Sequence, residues 1–264
     1  MGTSKAALEW HGSTLLRRVT GIVSRAVDGL VVVVRAPGQP LPSLPPCIAV
    51  LDDPAEGRGP LQGIAVGLAA LASEAETAFV CSTDLPLLHP AFVRRVTGEA
   101  EGADVVLPVV RGHRQPLAAC YRTVLAEHAA GLVAADRLRP AFLQEGRVVT
   151  ELDDADLLSD PTLSRLDAEL DSVCGVNAPE DYAAARKRPA PQIRVERFGV
   201  LARGNDRDRG TVRAATLAAA ADAVGLTLSR HILAALNGDQ MSRDPELPLV
   251  RGDVVAFLSA DAGG

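Results

Sequence analysis

Between Ser13 and Asp28, Leu15, Leu16, Val19, Ile22, Val23, Ala26 and Val27 recur at i, i+3 and i+4. That period predicts an amphipathic helix with Ser13 available as its cap. Leu30-Val31-Val32-Val33-Val34 has no polar interruption and predicts a strand buried on both faces. A proline-rich loop from Ala36 to Pro46 leads to a second short strand, Ile48 to Leu51. The loop Asp52 to Pro60 then leads into a helix from Leu61 to Ala72. Ala78-Phe79-Val80-Cys81 reads as a strand that stops at Ser82-Thr83-Asp84, and Pro90 opens a helix at its favoured first position. Asp104 to Pro108 and Leu117 to Tyr121 are further strands. Strand and helix alternate, which predicts an α/β fold on a mostly parallel sheet.

The pattern changes near residue 188. Arg186-Lys187-Arg188-Pro189-Ala190-Pro191-Gln192 is basic and proline-punctuated, as linkers are. Ile193 to Phe198 then alternates like a half-buried strand, a helix follows over Thr216 to Val224, and strands are expected at Ile232 to Leu236 and Val254 to Leu258. The reading is a first domain over 1–188, a linker over 189–192 and a small α+β domain over 193–264.

Composition narrows the chemistry. Of 264 residues, 47% are apolar and only 3% aromatic, so Val, Leu and Ala must fill the core, which suits helices on a sheet. A net charge of −6 without a long basic block argues against nucleic acid as a partner. No apolar run reaches membrane-spanning length and the first residues carry no apolar signal core, so a cytoplasmic protein is expected. The four cysteines, Cys47, Cys81, Cys120 and Cys174, lack metal or disulfide spacing and read as reduced thiols.

Ligands of doubly wound sheets bind beyond the carboxyl ends of strands. Asp84 stands there, as a Mg²⁺ ligand or as a turn aspartate. Gly57-Arg58-Gly59-Pro60-Leu61-Gln62-Gly63 enters a helix whose N-terminus can receive an anion or a base edge, or is an ordinary loop. Asp52 and Asp53 can accept from a base or ribose, or form a solvated turn. Asn177 reads as a cap of the next helix.

Together these pieces resemble the molybdenum cofactor guanylyltransferases, the MobA-like nucleotidyltransferases. Met1-Gly2-Thr3-Ser4-Lys5 matches the tail of their opening L-A-G-G-x-S-x-R-M-G-x-x-K motif. Gly59-Pro60-Leu61-Gln62-Gly63, Thr83-Asp84-Leu85-Pro86, Gln115-Pro116-Leu117 and Val176-Asn177-Ala178-Pro179-Glu180-Asp181 match later motifs in order; Gly175 stands where many members have asparagine. The resemblance implies a Rossmann-like nucleotidyltransferase that moves GMP from GTP to molybdopterin with Mg²⁺. In it Lys5 and Asp84 are catalytic. Lys5, Asp52, Asp53, Gly59 and Gly63 bind the nucleotide, and Asp84 and Asn177 bind the metal. His113 and Arg114 are candidates for the pterin phosphate. The family's first strand and glycine-rich loop precede this motif tail, so the encoded protein is expected to start upstream.

Leu236-Asn237-Gly238-Asp239, Arg251-Gly252-Asp253-Val254-Val255-Ala256-Phe257 and the final Gly263-Gly264 resemble the β-grasp sulfur carriers of the MoaD and ThiS type, with Ser259-Ala260 in place of Pro-Pro. That resemblance implies a Gly263-Gly264 thiocarboxylate, made with an adenylating enzyme of the MoeB/ThiF type and delivered to the large subunit of molybdopterin synthase. Two other readings stay open: a cytidylyl or other nucleotidyltransferase, and a catalytically dead platform for the carrier.

Overall fold

The computed structural model describes residues 4–202 and 207–259. In chain order its elements are β1 (Glu9–Trp10), β2 (Ser13–Thr14), α1 (Leu15–Ser24), β3 (Val31–Arg35), β4 (Ile48–Asp52), α2 (Pro60–Leu71), β5 (Thr77–Cys81), α3 (Pro90–Thr97), β6 (Val105–Val110), β7 (His113–Arg114) and β8 (Ala118–Arg122). They continue with α4 (Ala126–Ala134), β9 (Val149–Leu152), α5 (Asp154–Leu158), α6 (Pro161–Leu166), α7 (Pro179–Arg186), β10 (Gln192–Phe198), β11 (Arg207–Arg213), α8 (Leu217–Ala223), β12 (Ile232–Leu236), β13 (Gln240–Ser242) and β14 (Val254–Ser259). None of the described helices is long and apolar enough to cross a membrane.

Contacts group the chain into Met1–Gly21 with Val176–Gly264, and Ile22–Gly175. This differs from a division at residue 188: the opening segment and α7 fall with the C-terminal domain, and the unit boundary lies inside α1.

In the unit Ile22–Gly175, β3 and β4 pair in parallel from Val31↔Ile48 to Arg35↔Asp52. A second sheet runs β5-β8-β6, with β7 folded back on β6 and β9 parallel to β6. The expectation of a mostly parallel sheet is corrected here, because β8 is antiparallel to both β5 and β6. A parallel return needs a crossover of about a dozen residues. The chain between β6 and β8 instead turns tightly at Arg111-Gly112, both at positive φ (51° and 76°). The core buries Leu61, Ile64, Ala65 and Leu68 of α2 with Val105, Leu107, Ala119 and Tyr121. Each such leucine contributes about 1.5–3 kcal/mol. Tyr121 keeps its hydroxyl satisfied by donating to Pro116 O at 2.8 Å.

The C-terminal sheet has the order β11-β10-β14-β12-β13. Its two central strands, β10 and β14, are parallel, and each outer pair is an antiparallel hairpin. Helix α8 lays Leu217, Ala220 and Ala221 on Ile193, Val195, Leu236, Val255 and Phe257. Thr216, expected inside this helix, is its cap and accepts from Ala219 N at 3.3 Å. Asn237, Gly238 and Asp239 turn the β12–β13 hairpin, with Asn237 and Gly238 at φ 55° and 90° and Asp239 N donating to Leu236 O at 3.2 Å. The Asn237 carboxamide then ties this turn to β14: Nδ2 donates to Asp253 Oδ1 at 3.0 Å and Oδ1 accepts from Val254 N at 2.8 Å. The Asn-Gly and Gly-Asp pieces of the sequence thus do one structural job. Strands β11 and β13 were not expected; they are edges with little apolar patterning, set by pairing with β10 and β12.

Candidate active site

Lys5 begins a single 3-10 turn, Lys5–Ala7, and its Nζ donates to Asn177 Oδ1 at 3.4 Å. The capping role expected of Asn177 is corrected: Asp181 caps α7 by accepting from Ala178 N (2.9 Å) and Asn177 N (3.2 Å), which leaves the Asn177 carboxamide to the lysine. After Lys5 the chain forms a hairpin. Leu15 N donates to Leu8 O at 2.9 Å, β1 pairs with β2, and His11-Gly12 make the turn at φ 45° and 93°. Tyr182 donates from its hydroxyl to Glu9 O, Arg186 pairs with the Glu9 carboxylate, and Gly12 N donates to Glu9 Oε1 at 2.8 Å. Ser13 is a strand residue here, and Thr14 Oγ1 accepts from Arg17 N at 3.3 Å, so Thr14 takes the capping role expected of Ser13. Burial, then the nearby Arg186 and Arg18 guanidiniums, lower the His11 pKa.

In the other unit, the two aspartates after β4 separate cleanly. Asp52 stands opposite Arg35 in the β3–β4 register and accepts from Arg35 Nε at 2.6 Å, half exposed. Asp53 turns inward. Its N–H donates to Arg35 O at 2.7 Å, while its Oδ1 is buried with no hydrogen-bond partner. Burial raises the Asp53 pKa, with a hydrogen bond from Gln62 opposing the shift. Gln62 is itself buried and donates from Nε2 to Ala55 O at 2.6 Å, tying the loop to α2. Gly59 caps α2 at φ 73°, ψ −179°, a conformation essentially reserved for glycine. Arg58 anchors the loop by bonds to Asp136 Oδ1 (2.9 Å) and Val133 O (2.6 Å). Gly63 sits in the first turns of α2 with open space where a side chain would be.

Asp84 follows β5. Ser82 N donates to Leu117 O at 3.0 Å, and the Ser82 hydroxyl donates to Asp84 Oδ1, which fixes the carboxylate beyond the strand end. Burial, reinforced by the Asp84 charge, pushes the Cys81 thiol up to about 12, so it remains a thiol and not a nucleophile. Among the described residues no three His, Cys, Asp or Glu cluster as a metal cage. His113 and Arg114 are exposed on β7, with Arg114 paired to Glu151. Gly263 and Gly264 lie outside the described residues. Lys5 and Asn177 thus meet in one unit, and Asp52, Asp53, Gly59, Gly63 and Asp84 belong to the other. Sequence reasoning did not find Ser82, Tyr182 or Arg186. It also left Asp52 and Asp53 undivided, although Arg35 at the matching end of the preceding strand was the available signal.

Residues 1–150 match the family model described as a MobA-like NTP transferase domain. The chain belongs to that family. A probable molybdenum cofactor guanylyltransferase from Mycobacterium bovis (strain BCG / Pasteur 1173P2) is 36% identical over 184 residues, covering 68% of this chain and 86% of the relative. Its counterpart from Mycobacterium avium (strain 104) is 40% identical over 139 residues, 51% of this chain and 68% of the relative. Two solved structures share the fold of this MobA-like chain. The molybdopterin-guanine dinucleotide biosynthesis protein A from Archaeoglobus fulgidus has a TM-score of 0.54 at 20% identity, covering 70% of this chain and 90% of that one. The 2-C-methyl-D-erythritol 4-phosphate cytidylyltransferase from Thermus thermophilus has a TM-score of 0.52 at 19% identity, covering 70% and 93%. The chain is therefore a nucleotidyltransferase of the MobA-like family on a mixed α/β fold.

Proposed function

We propose that the protein transfers GMP from GTP to the terminal phosphate of molybdopterin or molybdenum-molybdopterin, and that residues 193–264 are a β-grasp sulfur carrier acting through a Gly263-Gly264 thiocarboxylate. The guanylyl reading is carried by the partnerless, buried Oδ1 of Asp53 beside a glycine-bounded loop. An ionised carboxylate only accepts hydrogen bonds. Guanine offers it two adjacent donors, N1–H and N2–H, whereas cytosine offers one amino group beside an acceptor. The guanylyltransferase relatives support the same choice.

In this reading an oxygen of the pterin phosphate attacks the α-phosphorus of GTP, the bond to the β-phosphate oxygen breaks, and pyrophosphate leaves. No covalent enzyme intermediate forms, so positioning and charge neutralisation supply the catalysis. Lys5 neutralises the transferring phosphates, with Asn177 Oδ1 steadying its ammonium. Mg²⁺ usually takes one or two carboxylates and completes its shell with phosphate oxygens and water. A carboxylate steadied by a serine hydroxyl fits that donor set, so Asp84 would hold the ion. Bound there, Mg²⁺ supplies positive charge to the triphosphate. Asp53, Gly59 and Gly63 line the guanosine side, and Asp52 serves the loop through Arg35. His113 and Arg114 receive the pterin phosphate.

For the carrier, two central parallel strands, a hairpin on either side and one helix across a face support a β-grasp reading. A tail without side chains suits entry into an adenylating active site. The partners in this reading are a MoeB/ThiF-like adenylating enzyme and the molybdopterin synthase large subunit.

Calorimetry of the full chain tests the transferase. Mg·GTP is expected to bind and Mg·CTP to bind far more weakly. A preference for CTP removes the guanylyl assignment, and no nucleotide binding at all favours a carrier platform. Deleting Gly263-Gly264 is expected to abolish thiocarboxylate formation by an adenylating partner; unchanged sulfur loading refutes the carrier.

A further inference from the structure

We infer that the C-terminal domain is a positioning element of the transferase: it clamps the opening hairpin and the first turns of α1, and through them sets Lys5. The inference rests on the phosphate-contacting role given to Lys5 above. Its basis is a line of contacts at residues 12, 13, 17, 18 and 21, all made to the C-terminal domain. Arg17 Nη2 reaches both carboxylate oxygens of Asp244 at 2.7 Å. The Ser13 hydroxyl donates to Glu246 Oε2 at 2.9 Å. Gly12 lies against Thr216, where an added Cβ would stand 3.5 Å from Oγ1. Gly21 is closest of all: a Cβ there would meet Cδ and Cγ of Pro248 at 2.7 Å.

Arg18 adds a buried cation to the clamp. The residue is only 5% exposed, and its Nη1 donates to the carbonyls of Ala215 and Leu249 at 3.4 and 3.3 Å. A guanidinium out of water is costly unless acceptors meet it, and here the C-terminal domain provides them. The clamp reaches Lys5 through a stiff path. α1 continues from β2, β2 is paired to β1, Leu15 N holds Leu8 O, and the 3-10 turn of Lys5 ends at Leu8. Tyr182 and Arg186 also hold the hairpin, through Glu9.

The test is a steric wedge and its relief in the full chain, read by calorimetry with Mg·GTP and by thermal unfolding. In an unobstructed helix Gly→Ala is stabilising. Gly21→Ala here drives α1 against the Pro248 ring, and misplacing a phosphate-contacting group is expected to weaken Mg·GTP binding by about tenfold. Pro248→Ala removes the ring and is expected to bind like wild type. Gly21→Ala/Pro248→Ala is expected to return to within about twofold of wild type, as a coupled pair should. Arg17→Lys and Glu246→Gln perturb the clamp more gently and are expected to weaken binding by about two- to threefold.

Weaker binding by the wedge and by the gentle variants, relieved in the double variant, supports the clamp. A Gly21→Ala protein that melts earlier but binds Mg·GTP as tightly as wild type overturns it, because the contact then only stabilises. Should Gly21→Ala not fold, unchanged binding by both gentle variants overturns it equally. Wild-type protein that binds no nucleotide sinks the reading of Lys5 and the clamp with it, whereas wild-type binding matched by every variant sinks the clamp alone.

Discussion

The hairpin at residues 8–15 and the loop at residues 52–59 both use glycine at positive φ to bring the chain into a helix, but their charges are met differently. In and just after the hairpin, Glu9, Ser13, Arg17 and Arg18 all have polar partners, several of them more than 170 residues away. In the loop, Asp52 is paired with Arg35 while the neighbouring Asp53 keeps one buried oxygen without a partner. A segment with every charge satisfied is a frame. A buried acceptor without a donor costs stability and is the natural place for a ligand's donor.

The sharpest break between frame and site comes from the proposed phosphate contacts. Lys5→Ala and Asp84→Asn should each lower pyrophosphate release by about 10²–10³-fold, the loss seen when one charge-stabilising group is removed, with little change in melting temperature. If either variant keeps near wild-type turnover, the group is part of the frame. Arg17→Ala should act mainly on stability, beyond the modest weakening of Mg·GTP binding expected from the clamp. It leaves Asp244 without its bidentate donor and should reduce stability by about 1.5–3 kcal/mol in a denaturant titration.

Asp53→Asn sharpens the contrast, because function and stability should separate. GTP affinity should fall by about tenfold, the worth of a hydrogen bond to a charged group, while the ligand-free protein becomes no less stable. A parallel drop in melting temperature would show that Asp53 supports the loop and does not read a base. Gly59→Ala should cost about 1–3 kcal/mol through backbone strain alone, since its Cβ would stand at an ordinary 3.6 Å from Leu138 O.

The smallest effect is in pH dependence, where the two regions have opposite signs. The His11 pKa is lowered, so its contribution to stability is present above the ordinary imidazole value and fades as pH falls through the lowered one. The Asp53 pKa is raised, so its contribution is full below the ordinary carboxylate value and is lost as pH rises through the raised one. His11→Gln should therefore lessen the destabilisation between neutral pH and about pH 5, and Asp53→Asn should lessen the loss on going upward from about pH 4. Denaturant midpoints across that range measure both.

Much of the local structure was legible in the sequence. β3, β4, α2, β5 and β12 fall within a residue or so of their expected limits and α3 starts at its expected Pro90, because apolar period, Pro90 and the glycines at 57 and 59 act over one or two turns of chain. Asp84 just beyond the apolar strand β5 was legible for the same reason. The hairpin direction of β8 was not, because an apolar run reads alike in either orientation. The edge strands β11 and β13 were missed because edges bury little. Asp52 and Asp53 were equivalent as letters and became distinct only through register, since a one-residue step along a strand reverses the side chain.

By itself, then, the sequence determined where helices and strands form, which residues can carry phosphate and metal chemistry, and the likeness of its motifs to a nucleotidyltransferase. Tertiary structure alone decided that Asn177 faces Lys5 across 172 residues of chain, that Thr14 and not Ser13 caps α1, and that the opening segment packs with the C-terminal domain. The division is physical. Propensity and period are written within a span of neighbours, whereas the partner of a buried charge is chosen by whichever distant group the folded chain brings within hydrogen-bond reach.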